Sequence, residues 1–116
     1  MDEYVRLINK TEDFIETNLD KKITLDEVAR NINMSKFHFH RIFKMHSHET
    51  IKQFIRRIKM ERSALFLAVR KDISITEIAF RYGYGDSSAY NKVFKTYYGV
   101  SPSEYRKARN DKSKSY

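Results

Sequence analysis

The chain has 116 residues, enough for one ordinary domain or for two very small ones that share a core. Hydrophobic residues make up 41% of it and aromatic residues 14%, which excludes intrinsic disorder, and the absence of cysteine excludes disulfides, thiolate metal sites and a cysteine nucleophile. The net charge of +8 favours an anionic partner such as nucleic acid or an anionic membrane, and it is uneven: residues 1–49 carry 8 Lys/Arg against 9 Asp/Glu, whereas residues 50–116 carry 15 against 6.

Three helices are predicted in the first half of the chain. Apolar residues recur at helical spacing over residues 3–18, which predicts the first helix. Thr24 and Glu27 have the spacing of a capping box, so a second helix should begin there. It should end near Asn33, a residue type that tolerates a left-handed backbone. A third helix is predicted over residues 36–46.

Four further helices are predicted in the second half. The fourth and longest has about 18–20 residues and opens with a capping box at Thr50. Its predicted apolar stripe consists of Ile51, Phe54, Ile55, Ile58, Leu65 and Val69. The last three helices begin after the capping residues Ser74, Asp86 and Ser101. The polar segment 110–116 lacks periodicity and is predicted to be a disordered tail.

The most informative feature of the sequence is an internal repeat. Residues 23–29 match residues 73–79 at an offset of 50, and residues 39–44 match residues 90–95 at an offset of 51. Each copy therefore consists of a short capped helix, a tight turn and a second helix, which is the helix-turn-helix signature. A plain helical bundle with two similar hairpins is the alternative interpretation.

We therefore predict an all-α fold of about seven helices, in which a long linker helix joins two helix-turn-helix subdomains. The predicted boundaries are 1–49 for the first subdomain, 50–70 for the linker helix, 71–109 for the second subdomain and 110–116 for the tail. A linker of this length would extend about 27–30 Å, while equivalent major-groove faces of DNA repeat every ~34–36 Å. The prediction is a monomer on an asymmetric DNA site that spans two turns.

Periodicity divides the second helix of each copy into an inner and an outer stripe. The inner stripes are Phe39, Ile42, Phe43 and His46 in the first copy and Tyr90, Val93, Phe94 and Tyr97 in the second. The outer stripes are Lys36, Phe37, His40, Arg41 and Lys44 in the first copy and Ser87, Ser88, Asn91, Lys92 and Lys95 in the second. Hydrogen-bonding and cationic side chains of this kind are what recognition of a major groove requires. A cationic run in the linker helix, Arg56, Arg57, Lys59 and Arg62, would partly line the DNA side.

The second copy resembles the signature of the AraC/XylS family. The resemblance is carried by residues 75–79, 83–88, 94–95 and 99–106 of the second copy and, in the linker, by residues 54–61. It covers about residues 4–109, and the stand-alone MarA/SoxS/Rob type is nearest in size. The resemblance implies a bacterial, cytoplasmic transcription regulator, usually an activator that recruits RNA polymerase, which binds double-stranded DNA as a monomer through both second helices.

The resemblance also implies roles for particular residues. Contacts in the base region fall on Phe37, His40, Arg41, Ser87, Ser88, Asn91 and Lys92. Contacts to phosphates fall on Lys36, Arg56, Lys95, Ser101 and Arg106. Most of these positions coincide with the outer stripes obtained from periodicity.

Other functions find less support in the sequence. There is no Gly-rich phosphate loop, no paired carboxylates with an obvious cleft and no nucleophile context, so we predict neither an enzyme nor a cofactor. The four histidines include no pair at i and i+4, which argues against a metal site, although His40 could make a DNA contact that depends on pH. The longest apolar run, residues 64–69, is far shorter than the ~20 residues that span a membrane. A non-specific architectural DNA-binding protein and a protein-interaction bundle remain as alternatives.

Overall fold

The structure, a computed structural model, describes the backbone of residues 2–113 and the side chains of residues 2–110. Within this part of the chain there are seven α-helices and no strand, which confirms the predicted all-α class. The helices are α1 (Glu3–Glu16), α2 (Leu25–Asn31), α3 (Lys36–His46), α4 (Ile51–Val69), α5 (Ile75–Arg81), α6 (Ser87–Tyr98) and α7 (Pro102–Ser113).

Side-chain caps explain why the helices begin where they do. The first backbone N–H groups of a helix have no partner within it, so an oxygen placed just before the helix satisfies them. The Ser35 hydroxyl accepts a hydrogen bond from the backbone N–H of His38 at 3.1 Å, and the Asp86 carboxylate accepts one from Ala89 at 2.8 Å. These caps set the first residues of α3 and α6, the two helices that carry the predicted outer stripes.

The helices α2 and α5 end in the same way, which confirms the predicted turns of the repeat. Asn33 and Gly83 have φ angles of 57° and 87°, in the left-handed region. The next residue in each copy donates its backbone N–H to a buried alanine carbonyl five residues earlier, Met34 to Ala29 and Tyr84 to Ala79, both at 2.9 Å. This hydrogen bond, together with the left-handed residue, is a Schellman motif, and it turns the chain sharply into the following helix.

The chain forms two compact units, which divide between Lys59 and Met60. In the first unit α1, α2 and α3 pack on one another around a single apolar core. The buried members of this core are Leu7, Ile15, Val28, Ala29, Phe39, Ile42, Phe43, Phe54, Ile55 and Ile58. Because α4 contributes the last three, the predicted linker helix is also a structural part of this unit.

The second unit is built around aromatic residues. Tyr90 and Phe94 of α6 are fully buried, and the Phe94 ring packs on Tyr98 and on Tyr105 of α7 with centroid distances of 4.6 and 5.4 Å. The Tyr90 hydroxyl donates to the Ser63 hydroxyl at 2.9 Å, and burial raises the pKa of Tyr90 above its usual value. Tyr90 thus stays neutral with its polar atom satisfied, as a buried hydroxyl requires.

The buried residues of α4 do not follow the single stripe predicted from the sequence. Leu65 and Val69 are 59% and 66% exposed, so the prediction that they belong to the apolar stripe was wrong. The buried residues in the second half of α4 are Met60, Ser63, Ala64 and Leu67. Phe54, Ile55 and Ile58 of the predicted stripe pack in the core of the first unit. This unit ends at Lys59, so Leu65 and Val69, which continue the same spacing, lie beyond that core.

The last helix is longer than predicted. Ser101 caps α7 by accepting from the backbone N–H of Glu104 at 3.1 Å, as the sequence indicates. The helix continues to Ser113, so the prediction of a disordered tail from residue 110 was wrong for residues 110–113. Residues 114–116 lie outside the described part of the chain.

Candidate nucleic-acid interface

The outer face of α3 is exposed as predicted. Its residues Lys36, Phe37, His40, Arg41 and Lys44 are all exposed, while Phe39, Ile42 and Phe43 are buried on the other side. The Phe37 ring is 77% exposed, and Met45, which periodicity did not single out, is 73% exposed. Phe37, Arg41 and Met45 are spaced at i, i+4 and i+8, so the two exposed apolar residues lie one turn before and one turn after Arg41 on the same line of the helix.

His46 does not belong to the buried face of α3, contrary to the prediction. It is exposed and stacks on the ring of Tyr4 from α1, with a centroid distance of 4.7 Å. His46 is the last residue of α3. Periodicity alone does not show how far along a helix other helices pack against it.

The outer face of α6 has the same layout. Ser88, Lys92 and Lys95 are exposed, and Ser87 and Asn91 are half-buried. The inner face differs from the prediction at its C-terminal end, where Tyr97 is 39% exposed and Tyr98 packs against Phe94 instead. Because α7 packs on α6, Tyr98, whose ring contacts Tyr105, is more buried than Tyr97.

Lysines on the two outer faces differ in their neighbours. Lys36 lies 3.9 Å from the Asp26 carboxylate, and its ammonium lies 5.4 Å from the centroid of the Phe37 ring. Among the described residues, no ion pair involves Lys44, Lys92 or Lys95. A lysine without an acidic neighbour can meet a phosphate without first giving up an ion pair.

The predicted cationic run of α4 does not form one DNA-facing surface. Arg57 donates to the Glu49 carboxylate at 2.6 Å and covers the Phe54 ring. Lys59 donates to the backbone carbonyl of Lys21 at 2.7 Å, and partial burial lowers the pKa of Lys59. Arg56 is exposed, whereas Arg62 is half-buried. Three cations of the run are therefore part of the protein fold or packed against it, and Arg56 is the one available to a phosphate.

Arg106 is half-buried and holds the end of α4. Its guanidinium donates to the backbone carbonyls of Leu67 at 3.2 Å and Arg70 at 3.0 Å. The last carbonyls of a helix lack partners, so a cation placed there satisfies them and also interacts well with the helix dipole. The predicted phosphate role of Arg106 stays a prediction, and the structure adds a role in the fold of the second unit.

This structural role leads to a testable prediction. Replacing Arg106 by alanine should lower the free energy of unfolding by about 1–2 kcal/mol, because two carbonyls lose a charged donor. Urea unfolding followed by circular dichroism measures the change. Lys107→Ala, next to it on the exposed side of α7, is the matched control and should stay within about 0.5 kcal/mol. Equal midpoints for the two variants would contradict the role in the fold.

The described residues contain no group of three His, Cys, Asp or Glu side chains that could hold a metal ion. Among the helices of the described chain, none combines the length and the apolar character needed to cross a membrane. Every predicted DNA-contact residue lies on α3, α4, α6 or α7, except Ser101, which caps α7.

Comparison with known proteins gives independent information. Residues 28–108 match the family model of a helix-turn-helix domain. The chain is 33% identical over 100 residues to the Msm operon regulatory protein of Streptococcus mutans, covering 86% of this chain and 36% of that protein. It is 34% identical over 94 residues to the multiple antibiotic resistance protein MarA of Salmonella typhimurium, covering 81% and 73%. The chain thus spans about a third of the first relative and most of the second.

A solved structure supports the fold. The DNA-binding domain of the global transcriptional factor AdpA, crystallised in complex with a target DNA, superimposes with a TM-score of 0.75. The match covers 97% of this chain and 96% of that domain, at 21% sequence identity. At this identity the likeness shows a shared fold, in which both helix-turn-helix units of this chain are included.

Proposed function

The chain belongs to the AraC/XylS family of helix-turn-helix DNA-binding transcription regulators, and on this premise we propose that it recognises a specific double-stranded DNA site through α3 and α6, each in one of two adjacent major grooves. The observation that carries the proposal is the duplication itself. Each copy has a short helix, α2 or α5, with a left-handed residue at its exit, followed by a capped helix, α3 or α6, that presents a polar and cationic outer face. A single exposed cation is common on any helix, whereas two matched faces are not.

The chemistry of the outer faces supports recognition of bases. Arg41 can donate two hydrogen bonds to O6 and N7 of guanine, and Asn91 can pair with N6 and N7 of adenine. Ser88 can bond to either kind of base, and Phe37 can contact a thymine methyl group. The remaining proposed members of the base region are His40, Ser87 and Lys92.

Contacts to phosphates would supply affinity and orientation without sequence information. The proposed phosphate contacts are Lys36, Arg56, Lys95, Ser101 and Arg106. Lys36 and Arg106 each have a partner within the protein, so their contacts to DNA would compete with Asp26 and with the end of α4. Arg56 and Lys95 are exposed, and they are the best-supported of the proposed phosphate contacts.

The finer functional proposal is an activator that binds as a monomer in the bacterial cytoplasm and recruits RNA polymerase. Family membership supports it, since members usually act in this way. Transcription in vitro from a promoter that carries the selected site tests it. Added protein should increase the transcript, and a decrease would identify a repressor.

A non-specific architectural protein is the second candidate, and the net charge of +8 favours it. Competition distinguishes the two. A specific regulator should prefer its selected site over bulk DNA by about 10³-fold or more, whereas an architectural protein should show nearly equal affinities. A ratio near one at every site tested would replace the proposed function by the architectural one.

The exposed lysine of α6 provides a further prediction. Lys95→Ala should weaken binding to all duplexes by a similar factor and reduce the slope of log K against log salt by about 1, because one phosphate contact is lost. Fluorescence anisotropy between 50 and 200 mM salt measures both. Lys10→Ala removes the same charge from the exposed side of α1 and is the control, with the slope unchanged. A Lys95→Ala variant that loses affinity for one sequence alone would contradict a phosphate contact.

A further inference from the structure

His38 connects α1 to a predicted base-reading residue. Its Nε2 lies 3.0 Å from Glu3 Oε1, and its Nδ1 lies 3.3 Å from Nη2 of Arg41. Glu3 is in the first turn of α1, whereas His38 and Arg41 are three residues apart on α3 and face the same way. Neither His38 nor Glu3 is among the predicted DNA-contact residues.

The partners of His38 determine which of its nitrogens carries the proton. A guanidinium can only donate hydrogen bonds, so Nδ1 must be the acceptor and cannot carry a proton. These partners assign the proton to Nε2, which donates a hydrogen bond to the Glu3 carboxylate. A carboxylate that accepts a hydrogen bond from one ring nitrogen orients the imidazole and leaves the other nitrogen without a proton. Glu3 in this way makes His38 an acceptor for Arg41.

We propose that His38, oriented by Glu3, is a positioning residue that holds the Arg41 guanidinium ready to recognise a base. This inference rests on the proposed function. A long, exposed arginine loses conformational freedom when it binds, and a side chain that is already held in place loses less. His38 would therefore increase the discrimination that Arg41 provides without itself contacting DNA.

The charged surroundings of His38 support this assignment. Of the helices packed against α3, α1 contributes Glu3 as the charged group in contact with His38. The Asp26 carboxylate of α2 pairs with Lys36 instead. Tyr4, the next residue after Glu3, stacks on His46 at the other end of α3. Arg41 is the charged contact from the same helix.

The second unit lacks this arrangement. At the offset of 51, the position of His38 corresponds to Ala89 and the position of Arg41 to Lys92. An alanine cannot accept a hydrogen bond from a neighbouring cation. Loss of His38 should therefore relax the base preference in the half of the site that the first unit reads and leave the other half unchanged.

A double-mutant cycle with the full chain tests the proposal. His38→Ala should reduce discrimination between the selected site and a site altered at the base pair read by Arg41 by about 3- to 10-fold. In an Arg41→Ala background the same change should have no further effect, since His38 acts through Arg41. His38 is half-buried and alanine favours helices, so circular dichroism should show an unchanged fold. An equal effect of His38→Ala in both backgrounds would overturn the proposal.

A conservative variant provides a second readout. In His38→Asn the amide oxygen lies near the position of Nδ1 and can accept from Arg41, so this variant should recover most of the discrimination. A His38→Asn variant that discriminates no better than His38→Ala would count against the acceptor role of His38.

The test separates failure of this inference from failure of the proposed function. If no DNA site is preferred over bulk DNA, both fail. If Arg41→Ala relaxes the preference and His38→Ala does not, the positioning role fails alone. Nitrogen-15 NMR of the free protein adds a readout that needs no DNA: the Nε2–H tautomer of His38 is expected, and a proton on Nδ1 would overturn the contact to Arg41.

Discussion

Replacing Arg41 and Asn91 together by alanine should remove most of the preference for the selected DNA site. Each single change should cost about 1–3 kcal/mol of binding free energy, because each removes a pair of hydrogen bonds to a base edge. The two residues lie on different helices, α3 and α6, so the losses should add to about 2–6 kcal/mol. No other pair of side chains on the outer stripes is expected to have so large an effect.

Titration of labelled duplexes by fluorescence anisotropy measures these losses. Each single variant should relax the preference at its own base pairs, and affinity for bulk DNA should change little. Lys10→Ala on α1 controls for the charge that Arg41→Ala removes, and its preference should equal that of the natural chain. If Asn91→Ala discriminates as well as the natural chain, then α6 does not read bases as proposed.

Replacing Phe94 by alanine should be the most destabilising change in the second unit. Phe94 is fully buried and packs on Tyr90, Tyr98 and Tyr105. Removing a buried aromatic ring leaves a cavity, and the expected loss in the free energy of unfolding is about 3–5 kcal/mol. Because this ring holds α6 in place, specific DNA binding should be lost with it.

A matched control tests which aromatic ring of α6 is packed in the core. Tyr97, three residues further along, is 39% exposed, so Tyr97→Ala should cost much less, about 1 kcal/mol or below. Urea unfolding of both variants makes the comparison. A larger loss for Tyr97→Ala than for Phe94→Ala would contradict the packing of α6 around Phe94.

The helix starts and turns could be predicted from the sequence because they depend on local interactions. A cap such as Ser35 bonds to a backbone N–H three residues away, and a left-handed residue such as Gly83 acts within one turn. The repeat made these predictions more secure, since the same signals occur twice. The outer stripes followed from periodicity for the same reason.

The errors occurred where a periodic stripe was extended beyond the part of a helix that packs against other helices. Leu65 and Val69 continue the stripe of α4 by spacing alone, and His46 and Tyr97 continue those of α3 and α6. Whether such a residue is buried depends on which helix lies beside it, and this is tertiary information. The end of α7 was missed because residues 110–113 are polar and the helix there has no apolar stripe.

Contacts between distant residues could not be predicted from the sequence. Glu3 and His38 are 35 positions apart. Arg57 was predicted to line the DNA side, but its guanidinium pairs with the Glu49 carboxylate. The spacing of His38 and Arg41 at i and i+3 was a local signal that could have been noticed. The role of Glu3 required the packing of α1 on α3.

Selection of bound sequences from a random pool of duplexes tests the central claim most directly, because it reports specificity and site length together. We expect two preferred blocks of bases on the same duplex, about one helical turn apart, with Arg41→Ala erasing one block and Asn91→Ala the other. A single block, or a pool without any enriched sequence, would contradict it.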